Sequence, residues 1–363
     1  MSIFRTSESE KKKTHFFVLS LSLSPISIPP PPQKKKKNRR QLDEEATKRG
    51  YDGWVLEAWP AWTAISSPAA AADDEARAKM LLGAANGASL FVKHVAAALH
   101  DHEHDHPMRD GHAEHHGLDA RELAERAAGR KRRKTLGPRA ADDPPHLLVL
   151  AVPPPPDRET QPDAHAAYLA AAERLHRHVD LWSLMSYDYN EGGGEGRDFS
   201  LSDGHRSPPP TAPLPWVRAS ALALARAVGD RRKVLTGVPL YAVSWAIEGG
   251  GEGGGGEGRR VAARDALTTV EALERLRAAA AAEGSPAPSS PPPSSSSLAG
   301  RWDELAAEAA FDLPRAGPGG SFSRVWMPTL PSVEARLRTA AEVGTGLALW
   351  EIGQAPPAFF DLL

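Results

Sequence analysis

The sequence predicts an α/β fold in which parallel strands are wrapped by helices, and three observations point there. Short continuous apolar runs recur along the chain, among them GWVLEAW, LLVLAVPPP, VLTGVPLY and TGLALWEIGQ, as expected of strands buried on both faces. Stretches with apolar residues at helical spacing stand between them. Several runs also finish in a carboxylate or an aromatic residue, at the strand end where parallel α/β sheets place their ligands.

Residues 1–40 run from EKKK through THFFVLSLSLSPISI to PPPPQKKKKNRR. A positive start followed by a short apolar, serine-diluted segment can be a secretory signal, a low-complexity disordered tail or a nuclear address, and it is too short to span a bilayer. Gln41 to Arg49 is a short helical piece. Gly50 to Trp59, GYDGWVLEAW, then reads as a tight turn entering a buried strand with Glu57 and Trp59 at its carboxyl end. Asp73 to His100 carries Leu81, Leu82, Leu90, Val92, Val95 and Leu99 at helical spacing.

HDHEHDH (His100 to His106) opens an insertion over 101–145. His100, Glu103 and His104 formally match H-x-x-E-H, but so short a window of histidines and acids matches such patterns by chance. A solvated insertion, adventitious metal binding and a zinc site are the three readings, and no metal site is assigned. The basic run GRKRRK (Gly129 to Lys134) belongs to the same segment.

Leu147 to Val152 is the next strand, stopped by four prolines, and a helix follows from about Ala164 to His178. VDLWSLMSYDYN (Val179 to Asn190) is a strand presenting Tyr187, Asp188 and Tyr189 at its end. Residues 191–215 form a glycine- and proline-rich loop that can cover a cleft or act as a linker. A helix from Trp216 to Val228 leads to the strand VLTGVPLYAVSW, which brings Tyr241 and Trp245 toward the same face. Insertions at 248–260 and 284–298 flank an alanine-rich helix, Thr268 to Glu283. Val325 to Met327 is extended, Pro331 starts a helix, and Gly344 and Gly346 end it before the last strand, TGLALWEIGQ, with Trp350 near its end. Pro356 to Leu363 is a short terminal helix.

Together GYDGWVLEAW, LLVLAVPPP, VDLWSLMSYDYN, KVLTGVPLYAVSW and VWMPTLPSVEARLRTAAEVGTGLALWEIGQ resemble glycoside hydrolase family 18, most closely its chitinase domain-containing, chitinase-like branch of the stabilin-interacting type. The resemblance implies a (β/α)8, TIM-barrel-type fold whose signature strand is the fourth. About ninety residues should precede that strand at roughly thirty per strand and helix pair. Only 49 precede Gly50, so strands four to eight are expected and the first three are missing, with residues 41–363 forming a partial barrel.

The family's motif, D-G-x-D-x-D-x-E, sets Asp52 on its first aspartate, Val55 on the second, Glu57 on the third and Trp59 on the final glutamate. That glutamate protonates the leaving oxygen in active members, where the substrate's acetamido group is the nucleophile. An indole has no proton to offer at a useful pKa, and general acid catalysis is worth about a hundred- to ten-thousandfold. The expectation is therefore binding rather than turnover, with no catalytic residue. The resemblance implies a chitin-like or other N-acetylated oligosaccharide as ligand, with Met185, Tyr187 and Asp188 holding the acetamido group and Trp350 flooring a sugar subsite. Glu57, Trp59 and Tyr241 complete the expected ligand set. Two alternatives stay open: hydrolysis through Glu57, two residues and about 6 to 7 Å short of Trp59, and a protein-binding scaffold with a vestigial cleft.

Composition adds exclusions. A formal charge of −2 gives no push toward nucleic acid, and no cysteine is present, which removes disulfides, thiolate metal sites and cysteine nucleophiles. The glycine runs lack the G-K-[ST] ending of a phosphate loop, and no cofactor is expected. No segment is a transmembrane candidate, and the family resemblance implies a secreted or lysosomal protein.

Overall fold

Eleven strands and three α-helices described in full, together with helical residues at 89–97 and 265–271, organise the described part of the chain: β1 (Phe16–Ser20), β2 (Gly53–Glu57), β3 (Leu147–Val152), α1 (Pro162–Leu175), β4 (Leu181–Leu184), α2 (Leu214–Val228), β5 (Val234–Pro239), β6 (Tyr241–Ile247), β7 (Arg259–Ala262), β8 (Arg301–Asp303), β9 (Glu308–Pro314), β10 (Phe322–Met327), α3 (Leu330–Val343) and β11 (Gly346–Trp350). The computed structural model describes residues 16–20, 45, 46, 48, 51–57, 146–189, 210–247, 259–263, 265–271, 300–314 and 322–362, with positions 83, 86, 87, 89–97 and 99. The histidine-rich and basic insertion at 101–145 and the block at 284–298 lie outside these residues, as do most of the 191–215 and 248–260 segments.

The chain divides into two compact units, residues 1–185 with 220–236 and 343–346, and residues 186–219 with 237–342 and 347–363. Parallel pairing links β1 to β2, β2 to β3, β3 to β4 and β4 to β5 in sequential order, with β11 beyond β5. Sequential order with helical crossovers is the arrangement of a barrel, so the chain is α/β with part of a (β/α) barrel.

In the first unit, Leu56 stands opposite Leu150 and Leu150 opposite Trp182. These even-numbered residues pack into one core with Tyr168, Ala171, Ala172 and Leu175 of α1, Leu224 and Val228 of α2, and Val92, Ala96 and Leu99 of the helical residues near 95. The odd-numbered residues face away, and Val149, Ala151 and Leu181 are buried there too. Burial on both faces is why these strands read as unbroken apolar runs. Helix α1 begins with Pro162 in its first turn, carries Asp163 there and Arg174 in its last turn, and buries Ala164, Tyr168, Ala171, Ala172 and Leu175 as one stripe.

One feature departs from the sequence reading in this unit. Residues 16–20, inside the segment read as a tail or signal, pair in register with Gly53–Glu57. The parallel sheet therefore holds six strands rather than five. Gly53 explains how closely β2 approaches β3, because a Cβ there would lie 2.1 Å from the Leu147 carbonyl oxygen. Gly53→Ala is expected to destabilise the protein by about 1–3 kcal/mol or more, since backbone rather than a pliable side chain must yield. A melting temperature equal to the wild type's would refute that expectation.

The second unit contains a five-stranded antiparallel sheet in the order β7-β6-β10-β9-β8. The stretch VLTGVPLYAVSW, expected as one strand, divides at Leu240 into β5 of the parallel sheet and β6 of the antiparallel one. Pro239 ends β5, and the Leu240 amide donates to the Trp350 carbonyl at 2.6 Å. One face of the antiparallel sheet packs Ala242, Val325, Met327, Phe311 and Leu313 on Ala263, Ala266 and Leu267. The opposite face carries Trp245, Arg324 and Asp312 in one cross-strand row, with Arg324 and Asp312 joined by two bonds at 2.7 and 2.9 Å. Separately, Val238, Leu240, Leu347 and Leu349 pack with Val333, Leu337 and Phe359. Among the described residues no helix is long and apolar enough to cross a membrane.

Candidate ligand-binding site

Asp188 is the centre of the arrangement. Its φ of 59° lies in the left-handed region, which an aspartate tolerates better than most residues, and it turns the chain immediately after Tyr187. The Tyr241 hydroxyl donates to Asp188 Oδ1, and Arg260 Nη2 donates to Asp188 Oδ2 at 2.8 Å. The same guanidinium stands 5.7 Å from the centre of the Tyr241 ring, close enough for a cation–π contact. The Tyr187 ring meets Tyr241 edge-on with centroids 6.1 Å apart.

Local structure explains these positions. Tyr241 opens β6, where its side chain is buried, and Arg260 lies on the adjacent β7 opposite Val243. Alternation along paired strands puts Tyr241, Val243 and Arg260 on one face. Burial pushes the Tyr241 phenol far up from its ordinary value, and the neighbouring Asp188 charge adds to that. Tyr241 therefore serves as a fixed donor, Asp188 as an acceptor with lone pairs beyond those its two donors use, and Arg260 as a half-exposed cation. Ser186, two residues earlier, donates to the Gly237 carbonyl at 2.9 Å and anchors the approach to this turn.

Trp350 ends β11 half-buried, with its carbonyl receiving the Leu240 amide one residue before Tyr241. The Trp350–Glu351 peptide bond is cis, and Gln354 donates to Glu351 at 3.1 Å. In the first unit, Glu57 is the last residue of β2, half-buried and opposite Ala151, which in turn stands opposite Ser183. That row faces away from the helix-covered core. Met185 follows β4, is buried, and donates its amide to the Val152 carbonyl at 2.9 Å. Trp59 lies outside the described residues.

The structure thus gathers Tyr187, Asp188 and Tyr241 and adds Arg260, which the sequence reading placed in the 248–260 insertion and which lies on a strand instead. It also shows a buried ion pair the reading missed, Arg336 Nη2 to Glu308 Oε1 at 2.6 Å. No local signal marks either: Arg260 is 72 residues from Asp188, and a buried charge looks in sequence like a surface one.

No family model matches the chain. Among solved structures it is similar to a chitinase from Chromobacterium violaceum ATCC 12472, with 17% identity and a TM-score of 0.48 over 90% of this chain and 69% of that one. It is similar as well to the spore cortex-lytic enzyme SleL of Bacillus cereus, with 14% identity and a TM-score of 0.49 over 96% of this chain and 58% of that one. A family GH18 chitinase from Cycas revoluta, solved with allosamidin, has 13% identity and a TM-score of 0.44 over 88% of this chain and 69% of that one. The chain spans little more than half the length of the SleL enzyme. The architecture stands on the strand pairing described above rather than on these likenesses.

Proposed function

We propose that this chain is a chitinase-like protein of the glycoside hydrolase family 18 type that binds chitin-like, N-acetylglucosamine-containing glycans without cleaving them. The observation that carries the reading is the Asp188 carboxylate held between the Tyr241 phenol and the Arg260 guanidinium. A carboxylate and a guanidinium beside aromatic edges suit the hydroxyls and amide of a sugar. The phenol's raised pKa makes it a weaker acid than an ordinary tyrosine, and its proton is already directed to Asp188. Tyr187, Asp188, Tyr241 and Arg260 are the proposed contacts in the second unit, with Trp350 as a stacking surface. By the sequence resemblance, Trp59 occupies the place of the acid, and Glu57 and Met185 are polar and packing partners. Such a role fits a secreted or lysosomal protein.

Calorimetry with chitotetraose, run beside a turnover assay on a fluorogenic chito-oligosaccharide, tests the reading. Binding without turnover is expected. Turnover that disappears in Glu57→Gln would establish hydrolysis through that residue, and no heat at all would leave a scaffold role for the fold.

The tyrosines also set a pH limit. Burial raises the Tyr168 phenol, which donates to the Pro153 carbonyl at 2.6 Å, and raises Tyr241, while an unfolded tyrosine titrates near 10.0. Above that pH the folded chain holds protons that the unfolded chain has released, so stability falls as pH rises from there. Followed residue by residue by NMR of ring-labelled tyrosine, the phenolates of Tyr168 and Tyr241 are expected to appear only in step with loss of circular dichroism above pH 10.0, and either of these two phenolates in a fully folded protein would contradict this.

A further inference from the structure

Asp188 and Ala307, with φ of 59° and 52°, are the non-glycine residues of positive φ among the described residues. They lie far apart in sequence, yet one hydrogen-bonded path within the second unit joins them. The Tyr189 amide, next to Asp188, donates to the Thr211 carbonyl at 3.0 Å. The Thr211 amide donates to Glu308 Oε2 at 2.9 Å, and the Ala212 amide to Glu308 Oε1 at 2.8 Å. Glu308 follows Ala307 directly, and the Ala307 carbonyl accepts from Arg336 Nη1 at 3.1 Å. Arg336 also donates to the carbonyls of Ser332, one turn earlier on α3, and of Ala212. Both partners are buried, with Glu308 3% and Arg336 1% exposed.

From this geometry we infer that the Glu308–Arg336 pair is a positioning device for the ligand turn at Tyr187–Asp188, acting through Thr211 and the Tyr189 amide. A simple core would be served as well by two apolar side chains, since a buried ion pair offers little net stability over well-packed replacements. What an apolar pair cannot do is accept two successive backbone amides in fixed directions. A carboxylate can, because its two oxygens diverge in one plane, and the guanidinium then fixes that plane from the other side. The Thr211 carbonyl is held in turn, and with it the Tyr189 amide. A left-handed aspartate persists only where its surroundings over-determine it. The Tyr189–Thr211 bond on one side and the bonds from Tyr241 and Arg260 on the other meet that requirement.

The consequence for glycan binding rests on the function proposed above, whereas the effect on the turn does not. The test is the paired replacement Glu308→Leu with Arg336→Met in the full chain, beside Glu308→Gln with Arg336→Met, which keeps one acceptor for one of the two amides. Amide hydrogen exchange is followed at Tyr189 and, for comparison, at Val243 and Val325 of the antiparallel sheet. Chitotetraose affinity is measured in parallel. In the leucine variant, Tyr189 exchange should rise by roughly tenfold or more while the sheet amides stay as they were, and affinity should drop about tenfold, the worth of one well-formed hydrogen bond. The glutamine variant should recover part of both. Unchanged Tyr189 exchange in a folded leucine variant overturns the inference, as does faster exchange with full chitotetraose affinity. If the wild type itself does not bind chitotetraose, the proposed function fails, and Tyr189 exchange still decides whether the pair positions the turn.

Discussion

Asp188→Ala should weaken chitotetraose binding by about 10- to 100-fold while leaving a folded protein, because it removes the acceptor that both Tyr241 and Arg260 address. A hydrogen bond to a charged group is worth about 1.5–3 kcal/mol, and each 1.4 kcal/mol is a factor of ten, so losing one ligand bond of this kind already spans the range given. The alanine also faces a left-handed backbone, which costs a non-glycine residue about 1–2 kcal/mol. Asp188→Asn separates the two causes. Asparagine tolerates that backbone, but its amide group presents donors where two donors already converge, so affinity should still fall although the melting temperature holds. Arg260→Gln, which leaves the Tyr241 bond in place, should cost less. Equal affinity in wild type and both Asp188 variants, measured by calorimetry, would remove this site from the ligand.

The parallel strands were legible for a physical reason. LLVLAV and VLTGVP are packed on both faces or close to it, so nearly every residue is apolar and the run stands out, and GLALW, though only half-buried, is apolar throughout. Helix α1 announces itself through Pro162 and a clean stripe ending at Leu175. The antiparallel sheet was not legible. EAAFDLP and FSRVWM each give one face to a small core filled largely by alanine and the other to Arg324, Asp312 and Glu308, so their alternation is weak and short. The same applies to FFVLS, whose strand character is hidden in a serine-diluted, lysine-flanked stretch. Within the site, Tyr187, Asp188 and Tyr241 could be proposed because they closely follow or open strands. Arg260, by contrast, reaches Asp188 only through pairing of β6 with β7, a contact that local pattern does not encode.

The largest loss of stability should come from Glu308→Ala, which strands Arg336 in a place with almost no water. Burial raises the Glu308 carboxyl and outweighs the opposing pull of Arg336 and the two amides. Removing one partner leaves the desolvation of the other uncompensated, at a cost of about 3–5 kcal/mol. Two backbone amides, those of Thr211 and Ala212, lose their acceptor as well. Arg336→Met alone should be similarly damaging, because the Glu308 charge then remains with only those amides. The paired replacement by leucine and methionine should recover the part of the loss that comes from the uncompensated charge, while the part that comes from the Thr211 and Ala212 amides losing their acceptor remains. Denaturant titration of the two single variants and the double variant closes the cycle. A coupling energy near zero, with the double variant as unstable as the sum of the singles, would mean that Glu308 and Arg336 act independently. The contacts that surround them, rather than their mutual attraction, would then account for their burial.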